Sequence, residues 1–238
     1  MKKIFTLMVI LLTILAHGRL MAQDTACPPG LIHYWKFDEN DTLSLKDYIG
    51  SLDAIVIDKT FLDSGKVGRS QYFDESRLSL FDPESFDWDS NSSFTIEVWI
   101  NKTSACPSPS SINNSVIIGR DAYAETGLHW WLGVSCTNPG KINFSLYANG
   151  FEGQVLESKK GVIDGEWHLI SVVRNGTEGT TSILIDGVVD TTTSFTYTNG
   201  FSSDDSVDIG WLNLHKFYHF EGRMDELAVY SSALDDSV

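Results

Sequence analysis

The chain of 238 residues predicts an all-β fold, an antiparallel sandwich of two sheets. Three observations carry that prediction. Helical periodicity is nearly absent beyond residue 23. Strand-like apolar runs recur about every dozen residues instead. Gly, Asn and Asp turn signals separate these runs, with no space for the helices that parallel strands require.

The first run, residues 31–37, follows Pro28-Pro29-Gly30, and shorter runs at 53–57, 71–73 and 78–80 come next. Residues 93–101 alternate most clearly. Phe94, Ile96, Val98 and Ile100 face one side, while Thr95, Glu97, Trp99 and Asn101 face the other. This is a half-buried strand with one amphipathic Trp on its wetter face. Further strands are predicted at 115–118, 128–135, 142–147, 153–156, 166–174, 180–185, 188–193 and 207–209. Asp186-Gly187 is the dipeptide that supplies the two positive φ angles of a type I′ hairpin. Asn149-Gly150, Asp164-Gly165 and Asn175-Gly176 punctuate the neighbouring runs.

Residues 222–234, GRMDELAVYSSAL, read as the closing strand. Leu227 and Val229 are expected on one face, with Met224, Ala228 and Tyr230 on the other. A strand apolar on both faces belongs inside a sheet rather than at its edge. The last strand of an antiparallel sandwich commonly lies near the first, which would bring Asp225 toward Asp38 and Asp47. No repeat or linker divides residues 27–234, which are expected to form one domain followed by a tail at 235–238. The end of the chain just after the closing strand suggests a module of a larger multidomain protein.

Residues 1–23 predict a secretory signal peptide. Lys2 and Lys3 precede an apolar run at 4–16 too short to span a membrane comfortably, and Leu20-Met21-Ala22-Gln23 offers a cleavage site. The mature chain, roughly 215 residues, suffices for one large β domain. It is expected to be secreted or at the cell surface, without a transmembrane segment. Loss of the leader leaves 14 basic against 32 acidic residues and moves the formal charge from −15 to −18. Such a surface argues against nucleic acid and anionic membranes as partners and is compatible with calcium.

Export permits a disulfide. Cys106 and Cys136 stand in loop-like, Pro-bearing contexts and are the favoured pair, leaving Cys27 over, although three cysteines allow three single bridges.

Four stretches resemble a known family when taken together: LIHYWKFDEN (31–40) with Asp47 and Gly50 following; GKVGRSQYFDE (65–75); SFTIEVWINKT (93–103); and the segments from GEWHLISVVRNG to FEGRMDELAVYSSAL between 165 and 234. Their order and spacing are similar to the laminin G-like jelly rolls of the concanavalin A-like lectin/glucanase superfamily. The resemblance implies a jelly-roll sandwich. It leaves activity open, because the fold hosts lectins, protein-binding modules and hydrolases.

Retaining glycoside hydrolysis needs two carboxyl groups about 5 Å apart. The glucanases of this superfamily carry them around an aspartate on one strand, and no Glu-x-Asp-x-Glu-like run occurs here. Glu97, the nearest candidate, has Thr95 and Trp99 as its same-face neighbours. A non-catalytic module is therefore expected.

Asp38, Glu39, Asn40, Asp41 and Asp47 cluster near the end of the first strand, with Asp225 and Glu226 at the start of the last. Calcium takes six to eight oxygens, carbonyls and waters included. Relatives of the fold often hold one calcium at the sandwich rim, and the resemblance places its ligands at Asp38, Asp47 and Asp225. Asp87-Trp88-Asp89 begins like an EF-hand loop but lacks its later Gly and Glu, and reads as an acidic turn.

Sugar sites use aromatic rings as stacking platforms, with Asp, Asn and His as hydrogen-bonding groups. Trp130 and Trp131 are adjacent, so one faces the core and the other the opposite side of its sheet. The candidate ligand-binding set is His129, Trp131, Tyr147, Trp211 and His215. His33 and His168 read as structural. The expected function is recognition of a glycan or a cell-surface protein; an adhesive spacer or a glycan-cleaving enzyme are the alternatives.

Overall fold

A computed structural model describes residues 29–104, 114–138, 140–213 and 218–234. The signal segment, Cys27, Cys106, His215 and the tail lie outside the described residues. In chain order the strands are β1 (Leu31–Trp35), β2 (Ser44–Leu45), β3 (Ala54–Asp58), β4 (Phe61–Ser64), β5 (Arg69–Phe73), β6 (Arg77–Leu80), β7 (Phe94–Asn101) and β8 (Asn114–Ala122). They continue with β9 (Leu128–Ser135), β10 (Lys141–Ala148), β11 (Glu152–Gly161), β12 (Trp167–Asn175), β13 (Thr180–Ile185), β14 (Val188–Ser194), β15 (Val207–Ile209) and β16 (Gly222–Tyr230). One helical turn, α1 (Tyr123–Thr126), joins β8 to β9.

Two eight-stranded sheets form the predicted sandwich. The first runs β14-β13-β12-β7-β16-β5-β4, with β1 also paired to β16. The second runs β11-β10-β9-β8-β15-β6-β3-β2. All strand pairs joined in these ladders are antiparallel, and the core lies between the sheets. Phe94, Ile96, Val98 and Ile100 enter it from β7, and Trp130, Leu132 and Val134 from β9. Trp131 faces the other way, as two adjacent strand residues must.

The closing strand is interior, flanked by β7 on one side and by β1 and β5 on the other. Its face assignment differs from the sequence reading at one residue. The register slips between Asp225 and Ala228, and Glu226 takes a positive φ of 54°. An extra residue in one strand reverses the parity of what precedes it. Met224 therefore joins Leu227 and Val229 in the core, leaving Ala228 and Tyr230 outside it.

Other element ends also follow from backbone geometry. The first strand stops at Trp35, before the predicted 37, and Phe37 has a φ of 62° with its ring fully buried. β4 was not anticipated because FLDS is short and half polar; it lies at a sheet edge, where little apolar surface is required.

Candidate functional site

The antiparallel registers of β8, β9 and β10 line up one row across the outer face of the second sheet. Asp121 lies opposite His129, and His129 opposite Tyr147. The next row places Gly119, Trp131 and Ser145 side by side. The two rows are hydrogen-bonded. His129 Nδ1 is 2.6 Å from Asp121 Oδ1, and the Trp131 indole nitrogen is 2.6 Å from His129 Nε2.

An indole N–H can only donate, so His129 Nε2 accepts and Nδ1–H donates to Asp121. That fixes one neutral tautomer and engages both ring nitrogens. A histidine so engaged is a positioned polar surface.

Rings surround it. Tyr123 of α1 meets His129 edge-on at 5.9 Å and Phe151 at 5.0 Å, while Tyr147 lies 6.5 Å from His129. Tyr123 and Phe151 are 46% and 56% exposed, so these two faces are open to a ligand. Two backbone features hold them. Gly150 N–H donates to Thr126 O at 2.7 Å, tying the β10–β11 turn to α1. Gly127 ends α1 at φ 83°, and a Cβ there would stand 2.6 Å from Phe151 N.

Trp131 does not offer the stacking platform expected of it. It is buried, packed with Val116 and Leu212 and flanked by Tyr218, so its role here is to donate to His129. Trp211 is half-buried and stacks on His219 at 5.8 Å with an interplanar angle of 22°. His215 lies outside the described residues. The structure thus brings His129, Trp131 and Tyr147 together and adds Asp121, Tyr123 and Phe151. Asp121 and Tyr123 escaped the sequence reading because β8 was ended at residue 118; extending it four residues sets Asp121 beside His129.

The acids divide differently from expectation. Asp47 is turned away from Asp225. Its Oδ2 lies 2.6 Å from His33 Nδ1 and accepts from Leu52 N–H, while Oδ1 accepts the amides of Tyr34, Ile49 and Gly50. Burial raises its pKa, but the His33 bond and the amides outweigh that and hold it below the usual carboxylate range. Its oxygens are committed to a turn, which removes it from the ligand set. His33, completed by Ser85 at 2.6 Å, is structural as read, and so is His168 between Asp164 and Asp186.

Asp38 and Asp225 do converge, on the turn from β4 to β5. Asp38 Oδ1 accepts Arg69 N–H at 2.6 Å and Asp225 Oδ2 accepts Val67 N–H at 2.9 Å. Gly68 has a φ of +61°, and a Cβ there would stand 2.6 Å from Asp38 Oδ1. Asp225 is fully buried, and its Oδ1 has no hydrogen-bond partner. Burial, opposed by the Val67 amide and reinforced by Glu226 and Asp38, lifts its pKa to about 6. An orphaned buried carboxyl oxygen beside two further acids fits a hard cation, although no three His, Cys, Asp or Glu side chains close a metal cluster among the described residues. Asp87 belongs to a plain acidic turn, paired with Arg120 at 2.6 Å, while Trp88 is buried against Phe94.

Residues 75–237 match the Laminin_G_3 family model, described as the concanavalin A-like lectin/glucanases superfamily. The chain belongs to that family. No curated protein matches this laminin G-like chain in sequence. Solved structures do match it in shape. The binding domain of Paraclostridial Mosquitocidal Protein 1 aligns with a TM-score of 0.68 at 15% identity, over 87% of this chain and 50% of that one. Domain 4 of AbnA, an extracellular arabinanase from Geobacillus stearothermophilus solved with arabinotriose, gives 0.60 at 18%, over 87% and 95%. The binding domain of botulinum neurotoxin DC, solved with rat synaptotagmin II, gives 0.61 at 14%, over 87% and 49%. This laminin G-like chain spans about half the length of the toxin binding domains, and at these identities the likeness is one of fold.

Proposed function

We propose that this laminin G-like domain is a non-catalytic recognition module of an exported protein, and that it binds carbohydrate on the outer face of its second sheet. The observation that carries the reading is the row Asp121–His129–Tyr147, flanked by the open rings of Tyr123 and Phe151. Rings supply stacking faces for the apolar side of a sugar, and the Asp121–His129 pair presents polar groups in a fixed orientation. A domain of an arabinanase solved with arabinotriose has the same fold, which supports a glycan; a toxin binding domain solved with synaptotagmin supports a cell-surface protein as the competing ligand.

In this reading calcium is held at the rim by Asp38 and Asp225, with carbonyls and waters completing its shell. It would supply charge neutralisation between the acids and fix the β4–β5 turn. Export through the leader at 1–23 and a Cys106–Cys136 bridge belong to the same proposal. Cys136 follows β9 and is not a free thiol.

A glycan array on the full chain tests the proposal, with Tyr123→Ala and Phe151→Ala as variants. Sugar signal that falls in both, at unchanged melting temperature, supports it. No signal for any glycan leaves the adhesive spacer as the reading, and release of reducing ends makes the protein a hydrolase.

A further inference from the structure

The outer face of the first sheet, on the opposite side of the sandwich, carries a groove of about 340 Å³ between β1, β7, β12 and β16. Its walls are mainly apolar: Leu31, Leu169, Ala228 and the rings of Tyr34, Trp99 and Tyr230. Two carboxylates, Glu97 and Glu226, also line it. Their only hydrogen-bond donors among the described residues are neutral. Ser171 Oγ donates to Glu97 Oε1 at 2.6 Å, and the Tyr34 phenol donates to Glu226 Oε2. Neither carboxylate is in an ion pair among the described residues.

Each acid therefore keeps a second oxygen with no hydrogen-bond donor among the described residues, in the wall of a mainly apolar trough. The groove also shows what kind of group suits its aromatic wall. Lys66, from the exposed β4–β5 turn, places its ammonium 4.5 Å from the centre of the Trp99 ring. A ring face flanked by carboxylates favours a cation more than either element alone. Long basic side chains match this pattern, since their apolar stems lie along aliphatic surface while the charged head reaches the acids. A neutral sugar would leave both charges uncompensated and would find few donors and acceptors along Leu31, Leu169 and Ala228.

We infer that this groove is a second binding site, one that takes a lysine or arginine side chain of a partner polypeptide, with Glu97 and Glu226 receiving the cation and Trp99 its flat face. The chain's own Lys66 competes for that ring.

The test titrates the full-length chain with three capped tetrapeptides of the form Gly-Gly-X-Gly, X being Arg, Lys or Gln, and follows the Trp99 indole N–H by NMR. The Arg and Lys peptides are expected to shift it and the Gln peptide to leave it in place. Glu97→Gln and Glu226→Gln should each weaken binding roughly tenfold, as loss of one charge-assisted contact does. Lys66→Gln should tighten it. Glu226 holds an unusual backbone angle, so Glu97→Gln alone decides the matter if the other variant does not fold. A Glu157→Gln control on β11 separates local from diffuse attraction. An equal loss there, an equal response to the Gln peptide, or displacement of Trp99 by arabinotriose instead of the basic peptides overturns the inference.

Discussion

Trp35, the last residue of the first strand, is paired antiparallel with Leu227 of the closing strand. Leu31 pairs with Tyr230 at the other end of the same ladder. The pairing sets Asp38, just beyond β1, within reach of the turn that Asp225 also holds. Several expected outcomes follow from that closure and from the faces it creates.

Calcium should raise the melting temperature and chelator lower it, because Asp225 and Asp38 repel each other beneath one turn. Asp225→Ala should abolish the response. Asp47→Ala should destabilise the fold yet retain the calcium shift, since its oxygens serve the 47–52 turn. A melting curve indifferent to calcium in the unmodified chain would remove the metal from the reading.

Asp47 also governs acid stability. Its folded pKa lies below the unfolded value, so its contribution is complete above an unfolded pKa of about 3.9 and disappears as pH falls through the lower folded value. Asp47→Asn should cost roughly 2 kcal/mol at neutral pH, as weakening the hydrogen bonds to a buried charged acceptor does. Urea denaturation at several pH values checks this: the gap between the two proteins should be constant near neutrality and narrow only in strong acid.

On the second sheet, Tyr123→Ala and Phe151→Ala should each reduce glycan affinity by roughly threefold to tenfold at unchanged stability. Trp131→Phe keeps the buried ring but removes the N–H that His129 accepts. It should lower affinity as well, without the loss of packing that Trp131→Ala would bring. Equal affinity in all three variants would move the sugar site elsewhere.

At Gly119, in the row with Trp131, a methyl group has no space. A Cβ there would lie 2.6 Å from Trp131 Cβ and 2.9 Å from Leu212 Cδ1. Gly119→Ala should destabilise by about 2 kcal/mol, the usual cost of overpacking, and should loosen Leu212 from Trp131. Urea midpoints, with Trp131 indole signals as a local probe, measure both.

Incubation with polysaccharide should release no reducing ends, because the sequence has no Glu-x-Asp-x-Glu-like run to supply the two close carboxyl groups. Release that disappears in Glu97→Gln would instead place chemistry in the first-sheet groove.

Alternation along 93–101 and 128–135 was enough to assign both core faces, and GRMDELAVY was legible as an interior closing strand. These are properties of an extended chain with a side-chain period of two, and no distant residue is needed to read them. What the period cannot carry is a change of parity. Glu226, in a left-handed conformation, moved Met224 to the core face, and nothing in its residue type announces that angle.

The amino-acid sequence by itself determined the two-sheet framework and the neighbouring first and last strands, and it named His129 and Tyr147 as candidates without their register. Tertiary structure alone decided that Leu212 covers Trp131, that Asp47 turns to His33, and that Glu97 and Glu226 share one trough. The physical reason is range. Facing is set by neighbours two residues apart, whereas burial and hydrogen-bond partners are set by whichever distant segment folds over that face.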